Sequence, residues 1–333
     1  MAPTISIYGV CIVTSAGRFL LKTGYSLLCP QRLAIVIYHS VVDQKDPMRP
    51  DVPDLAEFQW QMELLQQQFN PLSMSDAIKG LRAGTLPPRA VCVTFDDGYR
   101  DNLEVALPIL QRTRVPATVF VATHFCQGEN MWNDRLIDLV SQIPGERADF
   151  SCVDCGELEL GSLQQKRQAY STLLDSLKYN PPQQRLEQVA TLYQHFDLPE
   201  APARMMSPDQ ICTLSLAGVE IGAHTVDHPI LKVLSADEQY RQIDESKRYL
   251  ESIIKKPVIG FAYPNGKPGV DYDQIAVEHL KKLGFDYAVS TAWGTNTVID
   301  SSFELKRFTP WEKSGLGFQR RLLWNGLKTH VGR

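Results

Sequence analysis

Seven short apolar runs, separated by segments with helical periodicity, place the strongest constraint on the fold of this 333-residue chain. The runs lack polar alternation and are rich in Val, Ile, Phe and Ala, as expected of strands buried on both faces. They cover residues 34–39, 90–95, 117–122, 219–224, 258–263, 287–291 and 304–308. The alternation of strand and helix predicts an α/β fold with parallel strands, either closed into a barrel or open and doubly wound.

One long interval interrupts this alternation. Residues 123–206 contain helical patterns but no strong strand. We interpret this interval as an insertion on the rim of the sheet, where it forms a lid or one wall of a substrate site. The predicted organisation is therefore an N-terminal apolar segment at 1–30, followed by one α/β domain at 31–333 that carries the insertion.

Charge and cysteine content argue against several classes of protein. A net charge of -4 without a long basic tract is unlike a nucleic-acid-binding protein. The seven cysteines are scattered and odd in number, which favours a reducing compartment over a disulfide framework. No basic residue precedes the first apolar stretch of residues 1–30, so the segment does not match a signal peptide. We expect a cytoplasmic protein, and both packing of this segment on the body and peripheral membrane contact through it stay open.

Acidic and histidine side chains follow the carboxyl ends of two predicted strands. Asp96 and Asp97 come after the second run, and His224 and His228 come after the fourth. In a parallel barrel these strand ends face one mouth. The four-residue spacing of the histidines predicts that both imidazoles lie on one side of a helical turn and can bind one ion. Together with one carboxylate they form a His-His-Asp set that suits a divalent transition metal, with zinc favoured.

Beside such an ion the two adjacent aspartates can divide the chemistry. One carboxylate binds the metal, while the other stays unligated and accepts a proton from an attacking water. The alternative for the Asp-Asp-Gly stretch is a solvated surface turn, because Asp and Gly both favour turns.

Three motifs together resemble those of the polysaccharide deacetylases, which are carbohydrate esterase family four with the NodB-homology domain. They are TFDDG at 94–98, HTVDHPIL at 224–231 and YPNG at 263–266. The resemblance covers roughly residues 31–310 and implies a distorted (β/α)7 barrel, here with a helical insertion. The YHSV at 38–41 further resembles a subgroup that deacetylates poly-N-acetylglucosamine and related exopolysaccharides.

The resemblance implies a metal-dependent hydrolase that removes N-acetyl groups from an N-acetylated glycan. It makes Asp96 the general base and assigns Asp97, His224 and His228 as ligands of a divalent metal. Two alternatives stay open, namely an O-acetyl esterase on the same scaffold and a catalytically silent barrel that only binds glycan.

Two residues of the family pattern are missing from this chain. The arginine that orients the base would stand where the chain has Ala262, and no late Leu-x-His supplies the general-acid histidine. His39 resembles the histidine that takes the acid's place in the subgroup, and a core-edge histidine bonded to backbone is the alternative. Arg307, at the end of the last run, can reach Asp96 as the absent arginine would, and a structural ion pair is its alternative.

Further residues are candidates for contact with the substrate. The backbone N–H of Asn265 is the candidate to hold the oxyanion of the tetrahedral intermediate. Tyr99 and Trp293 follow strand ends and are preferred over Trp132 and Trp311 as aromatic side chains that stack on sugar rings. Core packing is the alternative role for each aromatic residue.

Overall fold

The computed structural model describes residues 31–327, so the N-terminal segment predicted at 1–30 lies outside the described residues. The described chain forms a curled parallel sheet surrounded by helices, which confirms the predicted distorted barrel. The strands are β1 (Leu33–Tyr38), β2 (Asn70–Pro71), β3 (Ala90–Phe95), β4 (Ala117–Val121), β5 (Arg147–Asp149), β6 (Glu157–Glu159), β7 (Glu220–Ala223), β8 (Gly260–Ala262) and β9 (Tyr287–Val289). The sheet order is β1-β3-β4-β7-β8-β9 with β2 beside β3, and β5 and β6 form a separate antiparallel hairpin.

Helices follow most of the strands. They are α1 (Leu55–Gln68), α2 (Met74–Ala83), α3 (Leu107–Thr113), α4 (Trp132–Gln142), α5 (Leu163–Leu177), α6 (Pro182–Phe196), α7 (Pro208–Leu216), α8 (Ala236–Ile254), α9 (Gln274–Lys282) and α10 (Gly315–Leu327). The side chains of Asp54, Ser73 and Ser235 cap the first turns of α1, α2 and α8 and satisfy backbone N–H groups there. In residues 31–327, no helix has the length and apolar character needed to cross a membrane.

The seventh predicted strand, 304–308, is not a continuous strand. Leu305 forms a parallel bridge to β9, and Phe308 forms a parallel bridge to β1. Between them the backbone N–H of Arg307 donates to the carbonyl of Ala292 at 3.0 Å. Because the segment changes partner from β9 to β1 over so short a length, neither ladder can extend. The segment still connects the two edge strands and draws the sheet into a barrel.

Both faces of the central strands are buried, as their unbroken apolar runs predict. Every residue of β1 and of β3 is buried. Two glycines make room for aromatic rings in this core. A Cβ atom at Gly222 would lie 2.3 Å from the ring of Phe120, and one at Gly260 would lie 2.3 Å from the hydroxyl of Tyr287. Glycine is therefore required at both positions by close packing.

Residues 123–206 contain α4, the β5–β6 hairpin, α5 and α6. These elements share a hydrophobic cluster that includes Leu136, Phe150 and Leu173. The hairpin strands have three residues each, and only the central residue is partly covered. Such short, exposed strands leave no apolar run in the sequence, which explains why only helices were predicted in this interval.

Candidate metal centre and active site

Asp96, Asp97 and His224 come together because they follow strands that lie close in one parallel sheet. Asp96 follows β3, His224 follows β7, and β4 lies between these two strands. The N–H of His224 donates to the carbonyl of Val121 at 3.1 Å, and the N–H of Ala122 donates to the carbonyl of Asp97 at 3.1 Å. The end of β4 therefore fixes the backbone on both sides of the site.

The turn after β3 separates the two neighbouring carboxylates. Asp97 has a φ of 73° and Gly98 a φ of 94°, which places both in the left-handed region. A Cβ atom at Gly98 would also lie 3.1 Å from Val121, so glycine is favoured there by conformation and by space. This turn lets the side chains of Asp96 and Asp97 contact different partners.

Asp97, His224 and His228 form a compact cluster of metal-binding groups. Their ligand atoms all lie within 4.8 Å of one another. Oδ1 of Asp97 is 3.4 Å from Nε2 of His224 and 3.5 Å from Nε2 of His228. The structure brings together the three ligands that the resemblance implied.

The hydrogen bonding of this cluster fits a bound cation. Nδ1 of His224 donates to the carbonyl of Ala262 at 2.7 Å. A carbonyl can only accept, so in the neutral imidazole the Nε2 lone pair faces Asp97. Oδ1 of Asp97 is buried and has no hydrogen-bond partner among the described residues. Buried acceptors that face one another are costly without a cation between them, and two imidazoles with one carboxylate are a donor set that suits zinc.

The two histidines do not lie on a helical turn, so that part of the prediction is wrong. Residues 224–228 form an irregular loop in which Thr225 has a φ of 67° and His228 a φ of 50°. The backbone N–H of His228 donates to Oγ1 of Thr225 at 3.1 Å, not to a helical carbonyl. The imidazole centroids are nonetheless 4.7 Å apart. Left-handed backbone at a β-branched residue is strained, at a cost of about 1–3 kcal/mol.

Asp96 and Arg307 form a buried bidentate ion pair. Nη1 lies 2.7 Å from Oδ1 and Nη2 lies 2.8 Å from Oδ2. Arg307 is fully buried, and its remaining donors reach the carbonyl of Ser290 at 2.9 Å and the hydroxyl of Thr94 at 3.3 Å. The planar guanidinium fixes the orientation of the Asp96 carboxylate. The structure thus brings Arg307 to the carboxylate that the arginine missing at Ala262 would have oriented.

Burial and local charge act in opposite directions on the two carboxylates. Burial alone would raise the pKa of both. The charge of Arg307 outweighs burial at Asp96, and the imidazoles of His224 and His228 outweigh it at Asp97, so both pKa values lie below the ordinary value. Both groups are therefore ionised at neutral pH.

The pKa values of the two imidazoles are shifted in opposite directions. Burial lowers the pKa of His228 to about 3 although the charge of Asp97 opposes it. At His224 burial also disfavours the charged form, but contact with Asp97 outweighs it and raises the pKa. His228 is therefore neutral at physiological pH, which is the form that binds a metal.

His39 lies at the mouth beside the two carboxylates. It follows β1, is exposed, and lines a cavity that also reaches Asp97. The charge of its imidazole contributes to the lowered pKa of both Asp96 and Asp97. Its carbonyl accepts a hydrogen bond from Asn102 at 2.8 Å, whereas its ring bonds to no residue within 31–327. The ring is therefore available to a ligand.

Asn265 lies in the turn after β8 and is exposed, with a φ of 57°. Its carbonyl accepts a hydrogen bond from the hydroxyl of Thr291 at 2.7 Å. Its backbone N–H donates to no other group in the described part of the chain. This N–H is therefore a free donor at the surface of the turn.

Two of the aromatic candidates are largely covered by protein. Tyr99 is 7% exposed, and its hydroxyl donates to Asp134 of α4 at 2.8 Å. Trp132 is 6% exposed and lies under the guanidinium of Arg185, 4.5 Å from the ring centroid. Tyr99 therefore joins the barrel to the insertion, whereas the contact between Trp132 and Arg185 lies within the insertion.

Trp293 and Trp311 are the aromatic candidates that remain accessible. They are 39% and 46% exposed, and their ring centroids lie 5.1 Å apart. Trp293 comes after the carboxyl end of β9, as Asp96 and Asp97 come after the carboxyl end of β3. Their exposed surface leaves room for contact with a sugar.

A cavity of about 460 Å³ lies beside the metal-binding cluster. His39, Asp97 and Tyr99 line it from the barrel, while Asn133 and Asp134 of α4 line it from the opposite side. Oδ1 of Asn133 is a buried acceptor that lacks a hydrogen-bond partner within residues 31–327. The cavity therefore has the size and polar lining of a small-molecule site.

Sequence reasoning missed two charged residues that shape this cavity. Arg49, in the loop after β1, contacts Asp134 at 3.2 Å and Asp138 at 3.0 Å and so joins α4 to the barrel. Asp101 also lines the cavity, where burial raises its pKa to about 6 in spite of a hydrogen bond from Ser40. Neither residue belongs to a motif or to a regular pattern in the sequence, so the sequence does not distinguish it from an ordinary surface charge.

Gln242 of α8 was also missed, although it left a signal in the sequence. It is fully buried and lies at helical spacing from the buried residues Gln239, Ser246 and Leu250. A long polar side chain on the buried face of a helix needs a hydrogen-bond partner. This pattern could have directed attention to the loop that Gln242 contacts.

Comparison with known proteins agrees with this architecture. A family model described as polysaccharide deacetylase matches residues 83–288, more than half of the chain. YxkH of Bacillus subtilis (strain 168) is 20% identical over 279 residues, which cover 84% of this chain and 71% of that protein.

Two solved structures share the fold. The deacetylase PplD of Streptococcus pyogenes, in complex with acetate, has a TM-score of 0.60 at 19% identity and covers 87% of this chain and 98% of its own. A de-N-acetylase from Aggregatibacter actinomycetemcomitans has a TM-score of 0.58 at 16% identity and covers 87% of this chain and 99% of its own.

Proposed function

Because the chain belongs to the polysaccharide deacetylase family, we propose that it removes N-acetyl groups from an N-acetylated polysaccharide with the help of a zinc ion. One observation carries this proposal. Three acceptors, two of them buried and the one on His228 half-buried, converge on one point at Asp97, His224 and His228, while the adjacent carboxylate of Asp96 is held apart from them by Arg307.

The cluster of Asp97, His224 and His228 would hold the ion. Bound there, a divalent ion supplies positive charge that polarises the acetyl carbonyl and lowers the pKa of water. The three side chains are already close together, so little rearrangement is required of the protein.

Asp96 is the residue that takes the proton from the attacking water. Its bidentate contact with Arg307 keeps the carboxylate ionised and oriented, yet leaves each oxygen a further lone pair. As the water oxygen bonds to the acetyl carbon, its proton passes to Asp96. The free N–H of Asn265 is available to stabilise the negative charge that develops on the carbonyl oxygen.

His39 is the residue that protonates the leaving nitrogen. An amide nitrogen leaves poorly unless it receives a proton as the carbon–nitrogen bond breaks. Protonated His39 supplies that proton, and the products are acetate and a free amino sugar. The protons left on Asp96 and on the acetic acid return to solvent, and His39 takes one from solvent before the next cycle. The exposed ring of His39 beside Asp97 supports N-deacetylation over ester hydrolysis, because an alcohol leaves with less assistance.

The saccharide is proposed to occupy the cavity between the barrel mouth and α4. Asn133 there offers an unpaired acceptor to a hydroxyl or amide donor of the sugar. Trp293 and Trp311 present exposed ring surface on which further sugar units can stack. The description of one structural neighbour as a de-N-acetylase is consistent with this substrate class.

The proposal is tested with Asp96→Asn and His224→Ala on chitin oligosaccharides, which carry only N-acetyl groups. We expect Asp96→Asn to bind zinc normally but to lose about 10²–10⁴-fold in acetate release, because the proton acceptor is gone. His224→Ala should lose both zinc and activity, since a ligand is removed. Asp175→Asn, on the exposed surface of α5, is the control and should keep both. Undiminished acetate release by Asp96→Asn would refute the assignment of the base.

A further inference from the structure

The loop 224–228 presents His228 to Asp97 in a backbone conformation that it would not adopt alone. Thr225 and His228 both have positive φ, and neither is glycine. Such conformations persist where surrounding contacts hold them. Resting on the proposed function, we propose that Gln242 of α8, which touches no ligand atom, is a positioning residue that holds this loop ready for the metal.

Gln242 makes three hydrogen bonds to the loop. Its Oε1 accepts from the N–H of Val226 at 3.0 Å and from the N–H of Asp227 at 3.0 Å. Its Nε2 donates to Oδ2 of Asp227 at 2.6 Å. One neutral side chain thus binds two consecutive backbone donors and a side-chain acceptor between the two metal-ligating histidines.

No other side chain described satisfies these two backbone donors, whereas the rest of the loop has partners elsewhere. The carbonyls of Thr225 and Val226 accept from the N–H groups of residues 123 and 124, at 3.2 and 3.0 Å. Nη2 of Arg185, in α6, lies 3.4 Å from the carbonyls of both Asp227 and His228. Removing Gln242 would therefore loosen only the segment between the two histidines. The expected result is that His228 is held less firmly beside Asp97.

Gln239 is the control position that distinguishes a positioning role of Gln242 from a purely structural one. It lies on the same face of α8, is as buried as Gln242, and uses its Nε2 to donate to the carbonyl of Leu234 at 3.4 Å. Its Oε1 has no hydrogen-bond partner among the described residues, so no hydrogen bond joins its side chain to residues 224–228. If buried glutamines of α8 serve only to stabilise the helix, substitutions at the two positions should have the same effect on metal binding.

The test compares Gln242→Met with Gln239→Met, because methionine keeps the shape of glutamine and removes its hydrogen bonds. The Kd for Zn²⁺ is measured by competition with a chromophoric chelator, and the free energy of unfolding of the metal-free protein by urea titration. We expect Gln242→Met to weaken zinc binding about 10–100-fold, as loss of a partner that orients a ligand does. Gln239→Met should bind zinc as the wild type does even where it loses as much stability.

Acetate release gives a second measure. For Gln242→Met it should recover at high zinc concentration, since the base and the acid are intact. If Gln242→Met does not fold, Gln242→Asn is used in its place. The shorter amide of asparagine cannot reach both N–H groups, so this variant should weaken zinc binding at least several-fold. A Kd equal to that of the wild type in the folded variant would overturn the inference alone. Absence of zinc binding by the wild type would overturn the proposed function as well.

Discussion

Two adjacent aspartates acquire different environments through their backbone conformation. Asp96 continues directly from β3 and meets Arg307, whereas Asp97 turns into the left-handed region and faces His224 and His228. Arg307 keeps the carboxylate of Asp96 ionised, and the two imidazoles do so for Asp97. The proposed division between a proton acceptor and a metal ligand therefore follows from one turn of the chain.

The ion pair between Asp96 and Arg307 predicts a large effect on stability. Both groups are almost completely buried, so Arg307→Met leaves a carboxylate without its partner and should cost about 3–5 kcal/mol of unfolding free energy. Urea unfolding measures this cost. The double variant Asp96→Asn/Arg307→Met should lose less than the sum of the two single variants, because no unpaired charge remains.

Arg147 provides the control for this prediction. Its side chain is 61% exposed and contacts Glu157 and Glu159 on the surface of the hairpin. Arg147→Met should cost less than about 1 kcal/mol. If Arg307→Met were no more destabilising than Arg147→Met, the buried ion pair would not have the energetic importance that the structure suggests.

At the residue scale, the sequence predicted the groups that lie at strand ends. Asp96, Asp97 and His224 could be found because parallel strands deliver their carboxyl ends to one mouth, and Arg307 because it ends the last run. Residues that reach the site from elsewhere could not be found in this way. Arg49 acts from an irregular loop, and its contact with α4 depends on how the insertion packs.

At the scale of elements, the helices and strands with strong periodicity were predicted and the irregular ones were not. The runs predicted at 34–39, 90–95 and 117–122 match β1, β3 and β4 to within one residue at each end. The histidine loop was predicted as a helical turn because four-residue spacing fits one. A side-chain bond from Thr225 and the contacts of Gln242 produce the same proximity without a helix.

The packing of strands against aromatic rings predicts another effect on stability. A Cβ atom at Gly222 of β7 would lie 2.3 Å from the Phe120 ring, so Gly222→Ala should force the ring or the strand to move. We expect a loss of about 1–3 kcal/mol in unfolding free energy, measured by urea titration. Gly161→Ala is the control, because its nearest neighbour would be 3.4 Å away, and its effect should stay within about 0.5 kcal/mol.

An equal effect of Gly222→Ala and Gly161→Ala would contradict the close packing of β7 against β4.

Two such glycines, in the adjacent strands β7 and β8, let large rings fill the interior of the curled sheet. This local requirement has a wider consequence, because it keeps the strand ends that carry the site close to one another.

At the scale of the whole molecule, strand–helix alternation left a closed barrel and an open sheet as alternatives. Residues 305–308 decide between them by bridging β9 to β1. The run at 304–308 predicted a strand here, but the sequence could not show that this segment changes partner from β9 to β1 after one bridge. The same segment carries Arg307, so closure of the barrel and orientation of the Asp96 carboxylate depend on one short stretch of chain.

The account as a whole depends on a metal ion at Asp97, His224 and His228. The most direct test is acetate release from chitin oligosaccharides by the purified wild-type protein, measured before and after removal of bound metal with a chelator. We predict that the metal-free protein stays folded, loses activity by at least about 10²-fold, and regains it when one equivalent of Zn²⁺ is added. Full activity in protein shown by elemental analysis to be free of metal would contradict the central claim.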